Sequence, residues 1–383
     1  DPFEINNLAA SANPGHQRVR AEMSTALDQW IETTNDQGRT PEPADVLRQW
    51  TESSHDRFGT PVWAQTSGVP APATLTLAAV LRNETALTGA HDIEIRDGIA
   101  YIAGKGFTTR ALPTSGVFPY EKNKGGSLAI VDVKQPAAPK LLWASTTPLD
   151  DEDAETVLPL GNNRLLVGTR DLFLFDVSDP AHPKQLASIK DRPRVDIING
   201  MVRHGDTVFG ANKEGHIFAV DVSTPDKMSV LGTRETRASG ELALPHDAAL
   251  SGDLLIVVSA ETFGRNSKPG KFAVYRIADP RTHKTLSADQ WTVVGKLEHP
   301  RLAGANRVMT RDGFAYVGSS LSGGSLNRTD DLRPNVAVID LRDPAAPRLR
   351  GSLEFADTHA GPHGLEVAGT VVFPAGGQPG QAI

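Results

Sequence analysis

A recurring unit of apolar strand, terminal acid and proline turn constrains this chain more than any other feature. Its first copy, residues 126–140, has the sequence G-S-L-A-I-V-D-V-K-Q-P-A-A-P-K. Five copies occur, and the first proline of each falls at 136, 180, 225, 280 and 344, so the steps are 44, 45, 55 and 64 residues. Self-similarity at this spacing indicates that one supersecondary unit is repeated along the chain.

Each repeat predicts four short antiparallel strands. The apolar, β-branched run is typical of a buried strand, and the aspartate at its end can accept hydrogen bonds from the N–H groups of the next turn. Proline then prevents the strand from continuing. Upstream, the pairs Asp97-Gly98 and Asp312-Gly313 separate alternating runs, which is a strong hairpin signal. Four such strands per repeat form the blade of a β-propeller.

The repeat spacing predicts a mainly β fold, a six-bladed propeller of four-stranded antiparallel blades with a small N-terminal helical segment. The sixth copy begins at Pro362-His363-Gly364 and ends before an outermost strand. Residues 71–77 resemble the outer strand of the first copy, so we expect residues 74–80 to pair with residues 381–383 and close the ring. Such pairing would remove two open sheet edges.

Residues 1–66 lack the repeat and are expected to form a separate helical segment before a propeller domain spanning residues 67–383. Apolar residues at positions 19, 23, 26, 27, 30 and 31 follow a helical period and predict a helix over residues 16–33. A second short helix is expected near residues 42–50. Two such helices alone cannot form a core, so their apolar stripe needs a partner surface.

Composition excludes several classes of function. The net charge of −7 and the lack of a basic run argue against nucleic acid as a partner. Without cysteine, the chain has no disulfide, thiolate metal site or cysteine nucleophile. The apolar runs are far shorter than the ~20 residues of a transmembrane segment, so none is expected.

The pattern G-x-L-x-I-V-D-V-x-x-P-x-x-P resembles the LVIVD repeat, a β-propeller family of bacterial and archaeal secreted or surface proteins. The copies at residues 126–140 and 335–348 match it well, whereas the copy at 272–280 has Arg276 in place of the aspartate. The resemblance implies a propeller in an extracellular, periplasmic or cell-surface location. It implies little about the ligand.

The opening segment resembles the D-P-x-E-x-x-N-L-A tail near the C-terminus of type I, arylsulfatase-like sulfatases. Residues 1–9 read D-P-F-E-I-N-N-L-A, and residues 30–36 are similar to the segment that closes the following helix in that family. The resemblance implies an upstream sulfatase domain as a partner, so we expect this chain to be a piece of a longer protein. The family's calcium and its nucleophile would belong to that domain, and no cofactor is required here.

Polar residues recur at the start of the innermost strand of each blade, where a propeller forms the mouth of its channel. Converging histidines there could bind a transition metal or an anion, or could serve as hydrogen-bonded struts. Whether a metal binds stays open. The candidate binding residues are His91, Asp92, His246, Asp247, His363, Asn199 and Asn306. Long insertions at residues 105–124 and 319–334 could add a binding surface or a covering flap.

Two classes of function follow from these patterns. The first is a non-catalytic module that binds a surface or a carbohydrate, with a sulfated glycan as the candidate partner. It is fused C-terminal to a sulfatase and has no catalytic residues of its own. The alternative is an enzyme, with sulfuric-ester hydrolysis in the upstream domain or metal chemistry at a histidine-lined channel. A sulfatase nucleophile motif encoded before Asp1 would favour a catalytic parent protein.

Overall fold

A computed structural model describes much of the chain, in two compact units, Asp1–Pro72 and Ala73–Ile383. The described residues are 11–34, 78–83, 86–87, 90–104, 107–108, 121–122, 128–145, 149, 154–261, 268–279, 284–319, 334–355, 362–368 and 371–376.

The first unit contains helix α1, Pro14–Thr34, which confirms the predicted helix. Asn13 caps it, because its Oδ1 accepts a hydrogen bond of 2.8 Å from the N–H of Gly15. Pro14 occupies the first helical position, where its lack of an N–H costs nothing. Within the part of the chain that the structure describes, no helix combines the length and apolarity needed to cross a bilayer.

The second unit is a β-propeller in which each blade is an antiparallel four-stranded sheet. Blade 1 contains β1 (Ala90–Arg96), β2 (Ile99–Gly104), β5 (Leu128–Asp132) and β6 (Lys140–Ala144), and a separate pair, β3 (Phe107–Thr108) and β4 (Glu121–Lys122), lies between β2 and β5 in sequence. Blade 2 contains β7 (Thr156–Gly161), β8 (Arg164–Gly168), β9 (Leu172–Asp176) and β10 (Lys184–Ile189). Blade 3 contains β11 (Ile198–His204), β12 (Thr207–Asn212), β13 (His216–Asp221) and β14 (Ser229–Glu235).

Two further blades and a final pair of strands follow in the same order. Blade 4 contains β15 (Pro245–Ser251), β16 (Leu254–Ser259), β17 (Gly270–Arg276) and β18 (Thr292–His299). Blade 5 contains β19 (Ala305–Arg311), β20 (Phe314–Ser319), β21 (Asn335–Asp340) and β22 (Arg348–Glu354). A two-stranded sheet, β23 (Pro362–Ala368) and β24 (Val371–Gly376), ends the described chain.

Five four-stranded blades are present among the described residues, one fewer than the six predicted. The sixth copy supplies the two strands β23 and β24, and residues 377–383 lie outside the described residues. The expected closure by residues 74–80 and 381–383 falls mostly outside the described residues. Residues 78–80 are described and belong to no strand.

The turn chemistry predicted from the repeat is confirmed. Asp97 and Gly98 have φ values of 54° and 74°, and Asp312 and Gly313 have 51° and 78°. Positive φ at both central residues defines the type I′ turn, whose twist matches that of the flanking strands.

The aspartates that end the third strands form the predicted hydrogen bonds. Each accepts through Oδ1 from the N–H two residues further on, which starts the turn towards the fourth strand. These bonds join Lys134 to Asp132 (2.9 Å), Ser178 to Asp176 (2.8 Å), Ser223 to Asp221 (2.8 Å) and Arg342 to Asp340 (2.9 Å).

Hydrophobic cores lie between consecutive blades. Four clusters of buried side chains join blades 1 and 2, 2 and 3, 3 and 4, and 4 and 5. Between blades 3 and 4, for example, Phe209 meets Trp291 edge to face with ring centroids 5.4 Å apart. This packing holds the innermost strands side by side and so fixes the wall of the channel.

Candidate functional site

The innermost strands β1, β7, β11, β15, β19 and β23 contact one another in chain order and line the central channel. Because the innermost strands run in the same direction through the channel wall, their first residues gather at one mouth.

A β-bulge recurs near the start of five of these strands. The pairing register with the second strand skips one residue, which is His91, Asn199, His246, Asn306 or His363. A bulge leaves its extra residue unpaired and redirects the side chain, which is why bulges are common beside functional sites. The predicted candidates therefore occupy equivalent positions in the fold.

The first of two His-Asp pairs forms hydrogen bonds with the backbone of the next blade. His91 Nδ1 lies 2.8 Å from the carbonyl oxygen of Glu155 and must donate, because a carbonyl can only accept. Asp92 Oδ2 accepts from the N–H of Val157 at 3.0 Å and from Thr156 Oγ1 at 2.8 Å. The two side chains thus bind the neighbouring strand on either side of one residue.

The second His-Asp pair repeats this geometry between blades 4 and 5. His246 Nδ1 donates to the carbonyl of Asn306 at 3.1 Å, and Asp247 Oδ2 accepts from the N–H of Val308 at 2.8 Å. The carbonyl and the N–H again belong to residues two apart. We call each such pair a His-Asp clip.

Gly200 stands where blades 1 and 4 have the clip aspartate, and the packing explains the glycine. A Cβ built on Gly200 would lie 2.1 Å from Asp247 Oδ1 and 2.7 Å from Asp247 Cα. The clip aspartate of blade 4 therefore occupies the space that a side chain in blade 3 would need.

The carboxylate of Glu155 contacts polar side chains from blades 1 and 3. Its Oε2 accepts from Asn199 Nδ2 at 3.0 Å and lies 3.5 Å from His91 Nδ1, while its Oε1 lies 3.5 Å from Lys213 Nζ. The residue is only 8% exposed, so these contacts stabilise a charge that burial would otherwise disfavour.

Arg307 crosses the channel from blade 5. Its Nη1 donates to the carbonyl of Asn199 at 3.2 Å, and its Nη2 lies 3.5 Å from Asp92 Oδ1. Blades 1, 3 and 5 are not neighbours in the ring, so these groups meet across the channel. We call the groups that meet there the axial cluster. Its members are His91, Asp92, Glu94, Glu155, Asn199, Lys213, His246, Asp247, Arg307 and Glu366.

Burial and charge shift the proton affinities of the axial cluster. Burial raises the pKa of Asp247 to about 6, although Arg307 and the N–H of Val308 oppose the shift. Desolvation and, less strongly, the nearby carboxylates Asp92, Glu366 and Asp247 raise the pKa of Glu94 to about 7. Burial also lowers the pKa of His246 well below its ordinary value, so this imidazole is neutral at pH 7.

These raised pKa values predict that the propeller loses stability as the pH rises. The folded state binds the protons of Glu94 and Asp247 more tightly than the unfolded chain does, so stability falls from about pH 4 to about pH 7. Replacing Glu94 with Gln should flatten this fall between about pH 5 and pH 8. Urea unfolding at several pH values measures how the free energy of unfolding depends on pH. Glu298→Gln on β18 is the matched control. An unchanged slope in Glu94→Gln would contradict the assignment.

The structure places six of the seven predicted residues at the channel mouth: His91, Asp92, Asn199, His246, Asp247 and Asn306. His363 has the expected place on β23, but its side chain lies outside the described residues. Ligand binding by these residues stays a prediction. Among the described residues, no group of three or more histidine or acidic side chains has a geometry suited to a metal ion.

Five members of the axial cluster were not predicted as binding residues: Glu94, Glu155, Lys213, Arg307 and Glu366. Glu155 and Arg307 lie at or beside the recurring position, which was a usable signal. Glu94 follows Asp92 at strand period, so it projects from the same face of β1. Lys213 follows the second strand of blade 3, and no pattern in the sequence identifies it.

Both predicted insertions start and end at this mouth. Gly104 pairs with Ala90 and Leu128 with Ala103, so the connection from β2 to β5 is anchored beside the first residues of β1. Ser319 pairs with both Ala305 and Asn335, which anchors the connection from β20 to β21 in the same way. Apart from β3 and β4, residues 105–127 and 320–333 lie outside the described residues.

Comparisons with known proteins identify no family for this chain and show only weak similarity to solved structures. No family model matches the chain, and no curated protein matches it. Among solved structures, the computationally designed Ika8 protein is similar with a TM-score of 0.43 and 10% identity, over 75% of this chain and 68% of that one. Sqt1 from Chaetomium thermophilum has a TM-score of 0.42 and 13% identity, over 69% of this chain and 58% of that one.

Proposed function

We propose that the propeller is a non-catalytic binding module whose ligand site is the channel mouth that carries the axial cluster. The observation that carries the proposal is the recurrence of one bulge at the start of the innermost strands, which brings polar side chains from blades 1, 3, 4 and 5 to one place. A single polar contact would be a strut between two blades. Polar groups from non-adjacent blades that converge at the mouth of a channel are typical of a ligand site.

We further propose that the module belongs to a secreted or surface protein of the LVIVD-repeat type and follows a sulfatase domain. The support is the repeat with its confirmed aspartate turns, together with the D-P-F-E-I-N-N-L-A segment at residues 1–9. The proposal includes a complete sixth blade. The support is β23 and β24, which continue the repeat after blade 5, where β23 contacts β19.

The charge of the axial cluster bears on the class of carbohydrate. Its described carboxylates outnumber its permanent cations, Lys213 and Arg307, and would repel sulfate. A sulfated glycan is therefore the expected substrate of the upstream domain, whereas the mouth of the propeller favours a carbohydrate without sulfate.

Glycan binding by the purified chain tests the proposed function. Neutral, amino and sulfated oligosaccharides are titrated into the wild-type chain and into Asn199→Leu, with Gln185→Leu on the outer strand β10 as the matched control. Saturable binding that Asn199→Leu weakens and Gln185→Leu preserves supports a site at the mouth. Binding that is equal in both variants places the ligand elsewhere and overturns the proposal.

We expect this chain to have no sulfatase activity. The family's nucleophile lies in a Cys-x-Pro-x-Arg or Ser-x-Pro-x-Arg motif, and the chain has no cysteine. Ser178, Ser223 and Ser267 each precede a proline by two residues, but none has the arginine. Incubation of the chain with an aryl sulfate should release no more phenol than a heat-denatured sample does. Saturable turnover would contradict this prediction.

A further inference from the structure

The side-chain amide of Asn199 is fully buried and only half satisfied. Its Nδ2 donates to Glu155 Oε2 at 3.0 Å, which fixes the amide orientation because the carboxylate can only accept. Its Oδ1 has no hydrogen-bond partner among the described residues, and the residue is 0% exposed. Buried polar atoms nearly always have a partner, and an unpaired one is costly. The position in front of Oδ1 therefore calls for an N–H or O–H donor.

This unpaired oxygen belongs to the part of the channel where the blades converge. The side-chain Nδ2 of Asn199 donates to Glu155 of blade 2, and the backbone carbonyl of Asn199 accepts a hydrogen bond from Arg307 of blade 5. Arg307 also reaches Asp92 of blade 1. A donor that pairs with Asn199 Oδ1 would thus lie within the axial cluster.

The charges of the axial cluster favour a cationic donor. Its two permanent cations are Arg307, which is committed to Asn199 and Asp92, and Lys213, which is near Glu155. Its carboxylates are Asp92, Glu94, Glu155, Asp247 and Glu366. The excess of negative charge repels anions and attracts cations.

We propose that the channel mouth binds a primary ammonium group, with Asn199 Oδ1 accepting one of its N–H bonds and the axial carboxylates balancing its charge. The inference rests on the proposed binding function and names its ligand chemistry. An ammonium group has three donors and no acceptor, which matches an unpaired acceptor surrounded by carboxylates. Sulfate has only acceptors and does not fit. Amino sugars and alkylamines share this chemistry.

Calorimetric titration at pH 7 with two amines tests the inference and separates the two sources. The probes are a glucosamine trisaccharide with free amines and cadaverine, and the N-acetylated trisaccharide is the uncharged comparison. Saturable binding of either amine with no binding of the N-acetylated sugar is the expected result. Binding of the trisaccharide alone identifies an amino sugar, binding of cadaverine alone an alkylamine, and binding of both the ammonium group itself.

Two variants and two matched controls locate the amine. Asn199→Leu and Glu94→Gln should each weaken amine binding, the first by about tenfold because it removes a hydrogen bond to a charged donor. Gln185→Leu and Glu298→Gln, both on outermost strands, should bind like the wild type. Glu94→Gln keeps the size of the side chain and removes its charge, so this variant tests the charge even if Asn199→Leu unfolds. Thermal melting of each variant shows whether it is folded.

The pH dependence gives an independent measurement. Cadaverine stays cationic from pH 5 to pH 8, so a change in its affinity reports the protein's carboxyl groups. Affinity should rise over this range as Asp247 and Glu94 lose their protons. A flat profile would argue against binding beside these two groups.

The outcomes also separate this inference from the proposed function. Amine binding that Asn199→Leu and Glu94→Gln leave unchanged overturns the ammonium site. If neither amine saturates but the N-acetylated trisaccharide binds and Asn199→Leu abolishes that binding, the ammonium inference fails and the binding function stands. If no carbohydrate or amine binds, water fills the position at Asn199 and both proposals fail.

Discussion

Replacing Arg307 with methionine should destabilise the propeller by about 3–5 kcal/mol at pH 8, as expected when one partner of a buried ion cluster is removed. Arg307 is 8% exposed and contacts Asp92 and the carbonyl of Asn199. Methionine fills similar space but leaves the carboxylates without their cation. Urea unfolding followed by tryptophan fluorescence measures the free energy of unfolding of both proteins.

Arg311→Met on the same strand is the matched control. Its ion pair with Asp312 is exposed, with side chains 41% and 84% accessible, so its loss should cost less than about 1 kcal/mol. The cost of Arg307→Met should also shrink at pH 5, where protons partly replace the lost cation on Asp247. Equal effects in the two variants, or a cost independent of pH, would show that Arg307 acts by packing alone.

A second large loss of stability is expected for Gly200→Ala. The added methyl group would meet the Cα of Asp247 at 2.7 Å, and a backbone atom cannot rotate away as a side chain can. Strands β11 and β15 would have to separate, and the N–H of Val308 could lose its carboxylate. Overpacking of this kind costs about 1–3 kcal/mol. Urea unfolding measures the loss.

Gly351→Ala provides the matched substitution without the clash. A Cβ at Gly351 has no atom within 4 Å, so alanine there should be neutral or stabilise by up to about 1 kcal/mol. If Gly200→Ala is as harmless as Gly351→Ala, the blades can move apart freely at the mouth. The close packing of Asp247 against blade 3 would then not be needed for stability.

The sequence predicted those features that depend on neighbouring residues. The type I′ turn at Asp97-Gly98 and the aspartate turn at Asp132 each involve residues at most two positions apart. Local chemistry decides such features, so a repeated motif reveals them. The start of five of the six innermost strands could also be located, because histidine or asparagine recurs there.

The contacts that build the site could not be predicted in the same way. His91 and Glu155 are 64 residues apart, and Arg307 and Asp92 are 215 apart. Nothing local shows that a clip side chain binds backbone atoms of the next blade, or that an arginine crosses the channel. The expected closure of the ring likewise depends on pairing between distant ends of the chain, which no local pattern decides.

The His-Asp clips have a consequence for how such a chain can grow. Each clip bonds chiefly to a carbonyl and an N–H, groups that almost every residue possesses, so it makes little demand on the sequence of the blade that follows. A duplicated or transplanted blade could form the same main-chain hydrogen bonds with its new neighbour without further substitutions. Its side chains could then diverge freely. Modules joined by main-chain recognition can be added, exchanged or reordered without matching changes on both sides of the joint.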